Sequence, residues 1–405
     1  MLIGFEKMIF PWLSAFRRYM KFDFDKITDR RGGYSCKWEV SDGELPMWIA
    51  DMDFETAPAV KRTVCEVADS GIYGYSTMPD EFFSALSSFR KRRHGQNFLP
   101  DEAVFSTGVV AALSSLVRKL TTPAENVLIQ APVYNIFYNS ILNNGRRVIS
   151  SDLVFDGVGY SIDFADLESK LADKQTSLMI LCNPHNPVGR LWRREELAKI
   201  GELCKKHGVT VISDEIHSDI VRPGLSYVPF CEASDVCREI SLSCISASKS
   251  FNIAGLQAAA VVSHNPHLRH KAYRALNTDE CGEPNIFAMA ANIAAYSECD
   301  GWLDSLIEYL FENRSCAENI LLEAKTKLRP VHSDATYFLW VDISEYSSDS
   351  ADFCKGLREK TGLYVSSGAS YGSAGEGFIR INLATQRSRV VDGMQRLIKY
   401  VTELD

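Results

Sequence analysis

Between residues 100 and 260 the chain repeats one pattern: a short apolar run, a polar or turn-forming break, then a longer amphipathic segment. The runs are "AVFSTG", "NVLIQAPVY", "SLMILCNPHNP", "VTVISDEIH" and "ISLSCISASK". A strand with one wet face alternates polar and apolar residues, and these runs scarcely alternate. They suit strands covered on both faces by helices, as in a parallel α/β sheet. After "AVFSTG", Val110, Leu113, Val117 and Leu120 fall at helical spacing. Long helical patterns fill residues 286–327 and 387–403, and between them "TYFLWVDI" and "GFIRINLA" read as strands of a second lobe.

The predicted fold class is therefore α/β, a mostly parallel sheet sandwiched by helices, with a smaller α+β domain. The expected divisions are an extension over 1–19, a small-domain segment over 20–62, a large domain over 63–300 and the rest of the small domain over 301–405. A chain of 405 residues with 46% hydrophobic and 24% charged residues can bury cores of that size. Its net charge of −8, without a long Lys/Arg block, gives no electrostatic support to a nucleic-acid or anionic-membrane partner. The apolar stretch Ile286 to Tyr296 is too short to span a bilayer and contains Asn292. Eleven cysteines, without a C-x-x-C pair, argue against a disulfide scaffold or zinc ribbon and fit a reducing cytoplasm. "MLIGFEKMIFPWLSAFRRY" lacks an export pattern, since Glu6 precedes its apolar part and Arg17-Arg18 follow without a cleavage site. It reads as an amphipathic extension, or as the product of an upstream start with Met20 opening the domain.

Ligands of open parallel sheets bind beyond the carboxyl ends of the strands. The residues there are Gly108, Val109, Val110, Tyr134, Asn183, Asp214, His217 and Lys249. Each alone is ordinary: an Asp after a strand caps a turn, and Asn183-Pro184 makes one. Together they match the needs of pyridoxal 5'-phosphate, namely an amine for its aldehyde, an acid for its ring nitrogen, an aromatic face and a helix start for its phosphate. In that reading Lys249 holds the cofactor, Asp214 keeps the ring nitrogen protonated and Tyr134 stacks. Asn183 donates to the phenolic oxygen, and the Val109 and Val110 amides meet the phosphate. Ser246 and Ser248 add hydroxyl donors.

"SDEIHSD", "NPHNPVGR", "SASKSFNIAGLQ", "PMWIADMDF" and "GFIRINLA" together resemble the fold-type I pyridoxal phosphate enzymes, specifically the cystathionine β-lyase and cystalysin group. The resemblance runs in order from about Lys21 to the C-terminus. It implies a homodimeric carbon–sulfur β-lyase acting on a small sulfur amino acid, with Lys249 carrying the cofactor and Arg380 gripping the substrate carboxylate. It also implies a tyrosine shared across subunits. "GIYGYS" fits that segment, with Tyr75 the better candidate and Tyr73 the alternative. "WIADMDF" is then expected over the substrate, bringing Ala50 and Asp51 to the border of the site. His217 stands where aminotransferases of this class carry a tyrosine, and Gln257 where they carry a phosphate-binding arginine.

Other readings compete. An aminotransferase shares the first steps and differs in releasing an oxo acid. A regulatory binding protein could also use this fold. "SASK" with "KTG" at Lys360 to Gly362 mimics two of the three marks of penicillin-binding enzymes, but S-D-N is missing. "HNPHLRH" spaces His264, His267 and His270 by three residues, which reads as a solvated helix face rather than a metal site, so no metal is expected.

Overall fold

The structure, a computed structural model, describes residues 22–404. The expected extension over 1–19 and Met20 lie outside the described residues. The central sheet has seven strands: β1 (Ala103–Ser106), β2 (Asn126–Ile129), β3 (Arg147–Ser150), β4 (Thr176–Cys182), β5 (Thr210–Asp214), β6 (Ser241–Ile245) and β7 (Ala259–Val262). Their spatial order is β1-β7-β6-β5-β4-β2-β3. All neighbours run parallel except β7, which is antiparallel to both β1 and β6.

Packing explains the unbroken apolar runs. Leu178 and Ile180 of β4 join one core with Leu113 and Leu116 of helix α1 (Val109–Leu120), whereas Met179 and Leu181 join another with Leu197 and Ile200 of helix α2 (Arg194–His207). Both faces of the strand are therefore dry, and a polar residue on either would lose its hydration.

A second, antiparallel sheet runs β8-β9-β11-β10, from β8 (Arg329–Pro330), β9 (Phe338–Asp342), β10 (Ser366–Ser367) and β11 (Phe378–Asn382). Leu339, Val341, Ile379 and Ile381 pack on Val390, Met394 and Leu397, which belong to the helix Arg387–Thr402. The long helical pattern over 286–327 resolves into two helices, Ile286–Glu298 and Asp300–Glu323. Cys299 breaks it: its backbone leaves helical values (φ −111°, ψ 14°) and its thiol donates to the Ala294 carbonyl at 3.4 Å.

Two loops bring the sheets to one site. Gly189, at φ +69°, accepts hydrogen bonds from the Asp334 and Ala335 amides (2.9 and 3.0 Å), and a Cβ there would fall 1.8 Å from Ser333 Oγ, so no side chain fits. On the other side, Leu45–Pro46 pairs in parallel with Leu363–Tyr364, and the chain continues past β11. There the Asn382 amide donates to the Met47 carbonyl (2.8 Å) and the Asp53 amide to the Ala384 carbonyl (2.9 Å).

Candidate active site

Register gathers the expected residues. Cys182, Asp214 and Cys244 are cross-strand partners on β4, β5 and β6, so Asn183, Asp214 and the Ser246–Lys249 turn emerge at one sheet edge. Ser106 pairs with Ala259 and Ile245 with Ala260, which brings the start of α1 beside the two serines. Ser246 Oγ donates to the Ala258 carbonyl (2.7 Å) and lies 2.9 Å from Ser248 Oγ. Helix α1 follows Gly108 with no side-chain cap, leaving the Val109 and Val110 amides without intrahelical acceptors.

Beyond this edge opens a cavity of about 1500 Å³ whose walls include Trp48, Ala50, Tyr134, Lys249, Asn252 and Arg380. Segment 48–54, quoted above within "PMWIADMDF", crosses it as expected. Its backbone is tied down by side chains: Asn382 Nδ2 donates to the Ile49 and Asp51 carbonyls (2.6 and 2.7 Å), and Asn252 Nδ2 donates to the Met52 and Phe54 carbonyls (3.2 and 2.8 Å). Lys249 Nζ donates to the Ala50 carbonyl at 2.7 Å. Burial outweighs the nearby acids and lowers the Lys249 pKa to about 8, while burial raises that of Asp214 to about 7. Tyr134 is pushed up to about 12 by burial and then by Asp214. Burial, then Lys249 and Arg380, hold His217 well below its usual value, so its ring is neutral.

Arg380 lies within β11, almost fully buried, with its guanidinium 4.0 Å from the Phe338 ring centroid and 4.9 Å from that of Tyr371. It donates to Asn186 Oδ1 (3.0 Å) and the Trp48 carbonyl (2.9 Å), and among the described residues it has no carboxylate partner. A buried cation without a counter-charge is costly unless a ligand supplies one.

Asp214, Asn183, His217 and Tyr337 are not on the cavity's walls, but Asp214, His217 and Tyr337 lie close to Tyr134, Lys249 or Arg380, which are, and the polar atoms of this region are short of partners, as a pyridoxal phosphate site requires. Asp214 accepts one side-chain hydrogen bond, from the Ile216 amide (3.1 Å). Among the described residues, Asn183 Oδ1, His217 Nδ1, Tyr337 OH and Arg380 Nε are buried without a hydrogen-bond partner. The Asn183 side chain differs from expectation in one respect: its nitrogen donates to Tyr227 OH (3.2 Å) and the Val228 carbonyl (3.0 Å), and its oxygen is the atom left without a partner. The Val228 carbonyl can only accept, which fixes the nitrogen on that side, so Asn183 offers a ligand an acceptor and not the donor expected. Gln257 is exposed and contributes no cation.

Tyr75 is not brought to this cavity. Its side chain is fully exposed, whereas Tyr73 donates from its hydroxyl to the Ala68 carbonyl (2.6 Å) and packs on Phe287. Sequence reading missed Asn186, Asn252, Tyr337 and Asn382. Asn186 sits in the quoted "NPHNPVGR", and Asn252 three residues after Lys249 at φ +55°, where Asn is among the few residues tolerated. Those were available signals. Tyr337 and Asn382 carry none, being single polar residues at the edges of apolar strands.

The sequence profile of the family "Aminotransferase class I and II" matches residues 46–397. Cystathionine beta-lyase PatB of Bacillus subtilis is 42% identical over 382 residues, covering 93% of this chain and 98% of that protein. Protein MalY of Escherichia coli is 34% identical, covering 94% and 99%. The crystal structure of cystalysin from Treponema denticola, which contains a pyridoxal 5'-phosphate cofactor, superposes with a TM-score of 0.91 at 29% identity, covering 95% of this chain and all of that one. Among the described residues no helix is long and apolar enough to cross a membrane. With a half-buried lysine at the edge of an α/β sheet and a profile match across most of its length, the chain belongs to the class I and II aminotransferase family and uses pyridoxal 5'-phosphate.

Proposed function

We propose that the protein is a carbon–sulfur β-lyase that converts a sulfur amino acid and water to a thiol, pyruvate and ammonia. The observation that carries the reading is the pairing, across one cavity, of a lysine whose pKa is lowered to about 8 with an arginine that has no carboxylate partner among the described residues. The similarity to PatB supports the lyase outcome.

Lys249 would hold the cofactor, with Asp214 facing its ring nitrogen, Tyr134 against its ring, and the Val109 and Val110 amides and the Ser246 and Ser248 hydroxyls about its phosphate. When bound, pyridoxal phosphate supplies an aldehyde for an amine and a ring that draws electrons from the adjacent carbon. Arg380 fixes the substrate carboxylate through its planar fork, which orients the Cα–H bond toward Lys249 Nζ. A neutral amine at that position takes the Cα proton, and burial keeps a useful fraction of it neutral near pH 8. The Cβ–S bond then breaks with its electron pair on sulfur, and water converts the three-carbon remainder to pyruvate and ammonium. Segment 48–54, held by Asn252 and Asn382, keeps the amine aimed at the cavity.

The active unit is a homodimer in which Tyr75 of one subunit completes the site of the other; the free, solvent-facing Tyr75 side chain supports this. Eleven free thiols support work in a reducing cytoplasm. The test is incubation with cystathionine, with and without an oxo acid, while following pyruvate, thiol and ammonia. Pyruvate formed without an acceptor is the expected result, and turnover that requires the oxo acid means an aminotransferase.

A further inference from the structure

His264 does not lie on the solvated helix face that its spacing suggests. It precedes the helix Pro266–Thr278, whose cap is Asn265, while His267 and His270 are exposed on that helix. Its position is fixed by β7: Val262 pairs with Ala103, and the Ser263 amide donates to the Glu102 carbonyl (3.1 Å). That is the edge of the central sheet opposite Lys249. There the His264 ring is mostly buried, its Nδ1 lies 3.2 Å from Glu102 Oε1, and its buried Nε2 has no partner.

Two other donors converge on the same point. Cys231 Sγ, one Glu232 carboxylate oxygen and one His264 ring nitrogen all lie within 4.8 Å of one another. Cys231 and Glu232 end the turn Phe230–Glu232, Cys231 buried and Glu232 largely so. Each donor also has an outer partner: Gln96 Nε2 donates to Cys231 Sγ (3.2 Å), the Asn97 amide to Glu232 Oε1 (3.1 Å) and Arg238 to Glu232 Oε2 (2.7 Å). Glu102 behind His264 is the carboxylate–histidine arrangement that sets the ring's tautomer at metal centres.

We propose that Cys231, Glu232 and His264 form a zinc-binding site at the edge of the sheet opposite Lys249. Cys231 as a thiolate and Glu232 as a carboxylate set two negative charges against the ion, with Arg238 offsetting part of that of Glu232, and the sulfur–nitrogen–oxygen set suits zinc. Tetrahedral zinc places its ligand atoms about 3.5 Å apart, a small closure from the observed spread. Binding replaces the Cys231 proton, which passes to solvent, and leaves a fourth position for water. The ion would pin the turn whose Phe230 amide donates to Glu215 Oε1 (3.2 Å), the residue after Asp214. The proposal is independent of the reaction assigned to Lys249.

The holoenzyme, dialysed against chelator, is titrated with Zn²⁺ and separately with Co²⁺, whose thiolate and tetrahedral bands are read against metal-free holoenzyme. One equivalent per chain and a raised melting temperature are expected. Cys231→Ser and His264→Gln should each lose the equivalent and the Co²⁺ bands, and Glu102→Gln should weaken binding about 10–100-fold. The double variant His267→Gln/His270→Gln should bind as the parent does. Absence of a bound equivalent in the parent overturns the site, as does binding that survives both Cys231→Ser and His264→Gln. Loss of binding in the His267/His270 variant alone would mean exposed histidines were the ligands.

Discussion

Lys249 and Asp214 share a dry region, and burial moves each toward its neutral form: the lysine pKa falls to about 8 and the aspartate pKa rises to about 7. The consequence for stability can be measured without cofactor. The fold favours protonated Asp214, so its contribution is full below about pH 4 and is lost as pH rises to about 7. At about 1.4 kcal/mol per pKa unit, the apoprotein then carries a buried charge costing on the order of 4 kcal/mol. Apo Asp214→Asn should therefore melt at nearly the temperature of apo wild type at pH 4 and above it at pH 7.5, a window in which Lys249 stays mostly protonated. A gap that does not widen with pH would remove Asp214 from the dry region. Arg380 is tested by kinetics. Losing a bidentate, charge-assisted contact worth about 3 kcal/mol should lower kcat/KM about 100-fold in Arg380→Ala. Arg380→Lys should recover only part of that, since an ammonium keeps charge but not the planar fork. An alanine variant with unchanged KM and kcat would move carboxylate binding elsewhere.

Segment 48–54 has no long strand of its own, and its carbonyls are met by side chains from distant parts of the chain. Asn382 alone serves two of them, so Asn382→Ala should free the backbone beside Lys249. The expected effect is a kcat loss of about tenfold or more with the visible band of the bound cofactor retained, because the amine loses its aim and not its cofactor. Retained kcat with a lower melting temperature would make Asn382 merely structural. This level also separates what the sequence could reveal from what it could not. The apolar run of β4 announced a two-sided sheet, and the polar ends of β4, β5 and β6 announced the site; within β6, Ser241 and Ser243 alternate with Leu242 and Cys244 although all four are buried. Tyr337 and Asn382 stayed hidden, since their roles come from the second sheet folding back across the first, and no local period encodes that approach. The split at Cys299 did leave a local signal, the polar, glycine-containing "SECDG" at residues 297–301 inside the longer helical pattern.

At the scale of the whole molecule, the proposed homodimer is tested through Tyr75, whose side chain is fully exposed. Lys249→Ala and Tyr75→Ala chains, each inactive alone, should regain partial activity when mixed and allowed to exchange. One hybrid site then carries both intact residues. A fully active monomer would contradict the shared site. The central claim is that Lys249 drives carbon–sulfur cleavage, and its most direct test is pyruvate release from cystathionine by purified holoenzyme with no oxo acid present, measured beside Lys249→Ala. Pyruvate, thiol and ammonia in equal amounts are expected from the parent and none from the variant; pyruvate from Lys249→Ala at the parent's rate, or none from the parent without an oxo acid, would show that Lys249 does not drive this cleavage.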